Sequence, residues 1–101
     1  MYGDCVFDVF DDPILTGHNF QSSKMTVEMC VSTCKKENFG YAGLKKRKQC
    51  FCGNEPLEGF RWAWLDKCDD ECAGNLDQIC GGSDAMSVYS IQGVSEVDIN
   101  N

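Results

Sequence analysis

The polar and apolar positions of residues 25–40 predict the main helix of the chain. Thr26 is the expected N-cap residue, and Glu28 places a negative charge in the first turn, where the helix dipole stabilises it. Asn38 and Gly40 are residue types that commonly end a helix. The apolar positions with the i, i+3, i+4, i+7 spacing of a buried helix face are Val27, Cys30, Val31 and Cys34.

Short apolar or alternating runs predict the strands, and these runs lie at residues 4–10, 39–44, 49–53 and 86–91. The basic run at 45–48 joins two of them, and a solvated hairpin turn explains it better than a nuclear-localisation signal does. Residues 14–23 have no hydrophobic period, so we expect a loop there, with Leu15 and Phe20 turned inward.

Eight cysteines in 101 residues are the most informative feature of the composition. An even count at this density indicates an oxidising compartment and a disulfide framework. Zinc is the alternative, but a zinc site usually needs paired C-x2–4-C motifs, and the C-F-C at 50–52 is too short for one. His18 is the only histidine and lies away from the cysteines. We therefore expect four disulfides and no metal.

The spacing of the cysteines predicts how they pair. Cys30 and Cys34 share one face of the predicted helix, with their sulfurs about 6 Å apart. Cys50 and Cys52 share one face of the predicted strand, at roughly 6.5–7 Å. Two parallel bridges can therefore join the helix to the strand. The bridges between helix and strand are Cys30–Cys50 and Cys34–Cys52. A short-range bridge, Cys72–Cys80, would pin the loop 73–79, and by elimination Cys5 pairs with Cys68.

Length and charge narrow the setting in which the protein acts. A chain of 101 residues is one domain, which we place at 1–91, and the polar segment 92–101 is expected to be a frayed tail. The net charge of −7 argues against nucleic acids, anionic lipids and sulfated glycans as partners, and it permits neutral glycans, proteins and cations. No signal peptide or membrane-spanning run is evident. We expect an extracellular, monomeric module of a larger secreted or membrane-anchored protein.

The most aromatic stretch of the chain is the candidate ligand site. If this stretch is extended, Phe60, Trp62 and Trp64 share one face and can stack on the apolar face of a neutral sugar. The alternative is that one or both tryptophans cap the small core. Tyr41 and Phe51 on the hairpin could extend the platform, although core packing suits them better. Polar neighbours that could orient a glycan are Arg61, Asp66, Asn54 and Glu55.

Other chemistry finds little support in the residues. The acidic cluster of Asp66, Asp69, Asp70 and Glu71 lacks the oxygen spacing of a calcium loop and is expected to be a solvated face. A single histidine, no Ser-His-Asp pattern and fully paired cysteines argue against an enzyme. We expect no cofactor.

With the cysteines placed, the chain strongly resembles the WSC domain, the cysteine-rich module of yeast cell-wall stress sensors that also occurs in Kremen, polycystin and fungal secreted proteins. The resemblance covers residues 2–91. It departs at Asp4, which separates Gly3 from Cys5, and in the variable segment 55–67. The matching motifs are Y-G-D-C at 2–5, M-T-V-E-M-C-V-S-T-C at 25–34, Y-A-G-L at 41–44, C-F-C-G-N at 50–54, C-x3-C-A-G-N at 68–75, C-G-G at 80–82 and S-V-Y-S at 87–90.

The resemblance implies a compact α+β fold similar to PAN/apple domains, with one helix packed on an antiparallel sheet. It also implies a disulfide pattern that agrees with the pairing reached from geometry. The family is regarded as carbohydrate-binding, with fungal members associated with β-1,3-glucan and cell walls, and in animal receptors it helps to build protein-binding ectodomains. We therefore expect a module that binds a neutral polysaccharide, with a protein-interaction module as the alternative and a rigid structural spacer as a third reading.

Overall fold

The structure is a computed structural model, and it describes residues 4–7, 15–54 and 65–91. These segments form one main helix, seven strands and a single 3-10 turn. In chain order the elements are β1 Asp4–Phe7, β2 His18–Gln21, α1 Val27–Lys36, β3 Tyr41–Lys45, β4 Gln49–Gly53, a 3-10 turn at Leu65–Lys67, β5 Glu71–Cys72, β6 Asn75–Ile79 and β7 Ala85–Ser90.

Five of the strands build one antiparallel sheet in the order β1-β7-β3-β4-β2, and β5 and β6 form a separate two-stranded hairpin. The last strand of the described residues, β7, therefore lies inside the sheet between β1 and β3. The predicted α+β architecture, with one helix packed on an antiparallel sheet, is confirmed. Among the helices of the described segments, none combines the length and the apolar character needed to cross a lipid bilayer.

The helix begins where the sequence predicts. Thr26 is its N-cap, and its hydroxyl accepts a hydrogen bond from the Met29 N–H at 3.0 Å. The first main-chain N–H groups of a helix have no partner within it, and the Val27 N–H is one of these. It donates to the side-chain carbonyl of Gln78 at 2.9 Å. The helix ends at Lys36, and Asn38 follows in the left-handed region with φ 69°.

All four predicted disulfides are present, so the pairing reached from spacing is confirmed. Cys30 and Cys34 on α1 join Cys50 and Cys52 on β4, with Cα–Cα distances of 5.4 and 5.3 Å. The buried face of the helix packs on the same face of the sheet. The core between them includes Met25, Ala42, Leu44, Tyr89 and Ile91.

The opposite face of the sheet carries a second, smaller apolar cluster. Its buried members are Val6, Leu15, Met86 and Val88. The close packing depends on Gly43 in β3, because a Cβ there would overlap the Met86 side chain and touch Leu15. The second cluster explains why β3 and β7 are buried on both faces.

Two expectations about local structure were wrong. Residues 18–21 lie in an edge strand and not in a loop, because β2 pairs with β4 in the register Phe20↔Cys50. Only Phe20 in this strand contacts the core, which is why no hydrophobic alternation is visible, and the inward packing of Leu15 and Phe20 is confirmed.

The second wrong expectation concerns the chain between Cys72 and Cys80, which forms the hairpin of β5 and β6 where we expected a loop. Its strands are mostly polar and exposed, so they leave no apolar pattern in the sequence. The segments expected as the continuation of β1 at 8–10 and as the tail at 92–101 lie outside the described residues.

Candidate functional site

The predicted glycan-binding residues divide into two groups. Tyr41, Asn54 and Asp66 are described in the structure. Phe60, Arg61, Trp62 and Trp64, which form the aromatic platform of the prediction, lie outside the described residues, as does Glu55.

Tyr41 and Asn54 meet at one end of the sheet. Tyr41 opens β3 and pairs with Gly53, so Asn54 follows immediately beside it. The Asn54 side-chain carbonyl accepts a hydrogen bond from the Gly40 N–H at 2.7 Å, and the Gly40 carbonyl accepts one from the Ile91 N–H at 3.0 Å. This short network ties together the ends of β4 and β7 and the start of β3. The exposed Asn54 amide also carries an NH2 group, which is a donor suited to a sugar hydroxyl.

The two hairpin aromatics, Tyr41 and Phe51, are half-buried and lie on the face of the sheet opposite the helix, where both pack against the second cluster. Phe51 points away from Cys50 and Cys52, as the strand period predicts. Core packing thus accounts for part of each ring, and the remaining part is open to solvent.

Asp66 lies at the other side of the sheet. It is exposed in the 3-10 turn Leu65–Lys67, and this turn contacts β1 and leads into the disulfide between Cys68 and Cys5. Since β1 and β4 are three strand spacings apart in the sheet order, Asn54 and Asp66 are separated laterally by about 14 Å. The described chain thus leaves the sheet at Asn54 and returns beside the opposite edge.

The acidic cluster does not form a compact ligand set. Asp66, Asp69 and Glu71 are exposed, and Asp70 is held through its main chain, which bonds to Gly81 and Cys80. Across residues 4–7, 15–54 and 65–91, the only group with metal-like spacing is Cys30, Cys34 and Cys50. All three sulfurs are in disulfides, so none can act as a thiolate ligand.

One titratable group in the described segments has a clearly perturbed environment. The pKa of Tyr89 is raised from its ordinary value of 10.0, first by burial of the phenol and second by the negative charge of Glu28. Gln78 donates to both carboxylate oxygens of Glu28, at 2.9 and 2.8 Å. Sequence reasoning missed Gln78, because a residue some fifty positions from the helix leaves no local signal.

Comparison with known proteins places these observations in a family context. The family model described as "WSC domain" matches residues 2–82. Kremen protein 2 of Homo sapiens is 35% identical over 91 residues, which is 89% of this chain and 20% of the relative. A WSC domain-containing protein of Arthroderma benhamiae is 42% identical over 69 residues, 68% of this chain and 8% of the relative.

A third relative is a xylosyltransferase, oxt, of Drosophila melanogaster, 34% identical over 87 residues. The match covers 84% of this chain and 10% of that protein. The chain therefore spans a fifth or less of the length of these relatives. The comparison identifies a module that recurs in larger proteins with different names.

Proposed function

Because the chain belongs to the WSC domain family, we propose that it is an extracellular carbohydrate-binding module for a neutral polysaccharide, with β-1,3-glucan as the first candidate. The observation that carries this proposal is the pairing of an exposed amide and a half-exposed ring, Asn54 and Tyr41, at the point where the aromatic segment leaves β4. Four disulfides suit an oxidising extracellular setting.

Recognition would combine stacking with a small number of directed hydrogen bonds. Aromatic rings bury the C–H face of a sugar at low entropic cost, and Trp62 and Trp64 supply the largest such surfaces in the chain. Asn54 would donate to a hydroxyl oxygen from its NH2 group while its carbonyl stays bonded to Gly40. A shallow site of this kind binds weakly by itself and gains strength when several copies engage one polymer.

A protein-interaction module is the second candidate. This candidate follows from the expectation that the family helps to build protein-binding ectodomains in animal receptors. The match to Kremen protein 2 supports it, since that match extends over 89% of this chain, compared with 68% for the fungal relative. In that case the same aromatic segment would act as a hot spot, since tryptophan is enriched among residues that dominate binding energy. The two candidates predict different ligands for the same residues, so one experiment separates them.

The test is retention on insoluble β-1,3-glucan, chitin, cellulose, mannan and xylan. We compare the unaltered protein with Trp62→Ala/Trp64→Ala and with Leu76→Ala as a matched control. Leu76 is a 60% exposed apolar side chain on β6, on a different element from Asn54. A further variant, Asn54→Asp, keeps an oxygen for the Gly40 N–H but lacks the NH2 donor.

Selective retention on one polymer that is lost in the double tryptophan variant, reduced in Asn54→Asp and unchanged in Leu76→Ala is the expected result. Circular dichroism of each variant establishes that it is folded. Retention on none of the polymers would reject the glycan proposal in favour of a protein partner. Retention that survives loss of both tryptophans would remove the aromatic segment as the site.

A further inference from the structure

The hairpin turn between β3 and β4 consists of Lys46, Arg47 and Lys48, here called the basic turn, and its backbone is unusual. Lys46 has φ 52° and Arg47 has φ 72°, so two consecutive long side chains occupy the left-handed region. Glycine and asparagine are the residues that hairpin turns normally place there, because a Cβ is disfavoured at positive φ. Strained positions of this kind persist where the surrounding structure holds them and are concentrated at functional sites.

The surrounding structure does hold the basic turn in place. The Arg47 N–H donates to the Cys80 carbonyl at 3.2 Å, and the Arg47 carbonyl accepts from the Ala73 N–H at 3.1 Å. The Arg47 Nε also donates to the Glu71 carbonyl at 2.9 Å. These three contacts fasten the turn to the hairpin of β5 and β6, which the Cys72–Cys80 disulfide closes. The cations therefore project from a rigid base.

The basic turn concentrates positive charge in a chain whose net charge is −7. Four of the nine basic residues are consecutive at 45–48, and all three side chains of the basic turn are exposed. Across the described segments the single ion pair is His18 with Glu37, so the cations of the turn are not neutralised by a side-chain pair there. The exposed Lys24 adds to the patch, because its carbonyl packs against Gly74, next to the residue that bonds to Arg47.

We propose that the basic turn, together with Lys24, binds a linear polysaccharide that carries sulfate or carboxylate groups. Exposed cations on a firmly held turn, with no ion-pair partner among the described residues, attract a polyanion through charge and through release of its counterions. The adjacent hairpin also carries the exposed carboxylates of Glu71 and Asp77, so the cationic surface suits a narrow acidic chain. A flat anionic membrane would face those carboxylates as well, so an acidic polysaccharide fits this surface better.

This surface is separate from the neutral-glycan site proposed above. The basic turn precedes β4 and Asn54 follows it, so the two positions lie about 20 Å apart along the strand. One module could therefore contact two glycans, or two parts of one matrix. The net charge of −7 argues against polyanions on average, but it does not describe the three consecutive exposed cations of the basic turn.

The test measures binding to heparin, used as the sulfated probe, with laminarin as a neutral polysaccharide and phosphatidylserine vesicles as the anionic membrane. The variant Lys46→Asn/Lys48→Gln removes two cations, keeps Arg47, and places asparagine where positive φ favours it. The matched control Lys35→Gln/Lys36→Gln removes the same charge from the last turn of α1. Thermal unfolding of each variant verifies the fold.

We expect heparin binding that weakens with salt, loss of at least tenfold in affinity in Lys46→Asn/Lys48→Gln, and a slope against log salt lower by about 1.5. The control should bind within about twofold of the unaltered protein. An equal loss in both pairs, no heparin binding at low salt, or binding only to the vesicles would each overturn the proposal. Laminarin retention reports on the other site and should not change in either pair.

Discussion

The two bridges between α1 and β4 make a quantitative prediction, because they constrain the same part of the unfolded chain. Cys30–Cys50 and Cys34–Cys52 span 20 and 18 residues, and either bridge alone should stabilise the fold by about 3.2 kcal/mol in the chain-entropy account. Once one bridge is present, however, the second closes only the small ring between the two bridges, which runs from Cys30 to Cys34 and from Cys50 to Cys52. This ring has roughly six residues, and closing it should stabilise the fold by about 2.2 kcal/mol.

Removing one bridge with a pair of Cys→Ala substitutions should therefore lower the free energy of unfolding by about 2.2 kcal/mol. The packing lost with the two sulfur atoms adds a further loss, here called the packing term. Removing both should lower it by about 5.5 kcal/mol plus both packing terms, because the larger loop is then also released. All four cysteines are fully buried, and the Sγ atoms of Cys34 and Cys50, which belong to different bridges, lie 3.8 Å apart, so the packing losses of the two bridges are coupled as well. Loop closure by itself contributes a coupling of about 1 kcal/mol, and the packing coupling adds to it.

The assay is urea unfolding of the four proteins, with mass spectrometry to verify the remaining disulfides. Cys34–Cys52 combined with Cys72–Cys80 is the control cycle, since those loops do not overlap and their losses should add within about 0.5 kcal/mol. Additive losses in the first cycle would refute the account, and so would a single removal that is as costly as the double one. Either result would show that native-state packing, and not loop closure, dominates the contribution of these bridges.

Two further predictions follow from single residues. Gly81→Ala should destabilise the protein by at least about 2 kcal/mol, because Gly81 has φ +78° and a Cβ there would overlap the Leu44 carbonyl. Gly40→Ala should destabilise it by less than about 1 kcal/mol, because a Cβ at Gly40 meets only the Asn54 side chain, at 3.3 Å. Urea unfolding compares them, and equal losses would contradict the geometry. The raised pKa of Tyr89 means that the folded state holds the phenolic proton more tightly, so this stabilisation is complete below pH 10.0 and is lost as pH rises through the raised pKa. Tyr89→Phe should flatten the alkaline stability profile and remove a late component from the ultraviolet titration of the tyrosines. A stability profile unchanged by the substitution would contradict the assignment.

Several parts of the fold could be predicted because their signals are local. The N-cap at Thr26, the apolar stripe of α1 and the alternation in β4 all depend on residues within one or two turns of each other. The disulfide pairing also came from local spacing, since two cysteines on one helix face and two on one strand face leave few ways to connect.

The candidate site could be predicted only in part. Tyr41 and Asn54 were identified from residue type, and the structure brings them together at the end of β4. Arg47 was expected merely to be solvated, yet its main chain and side chain hold two hairpins together. Nothing near Arg47 in the sequence indicates its partners, which lie more than twenty residues away.

The sequence by itself determined the class of the protein: the cysteine spacing and the helix pattern are short-range features that specify a stapled α+β module. Only the tertiary structure decided the identity of the edge strand β2, the docking of the hairpin β5–β6 on the basic turn, and the position of β7 inside the sheet. The physical reason is that backbone hydrogen bonds between distant, mostly polar segments leave no hydrophobic period. Their geometry becomes defined only when the packed core brings those segments into contact.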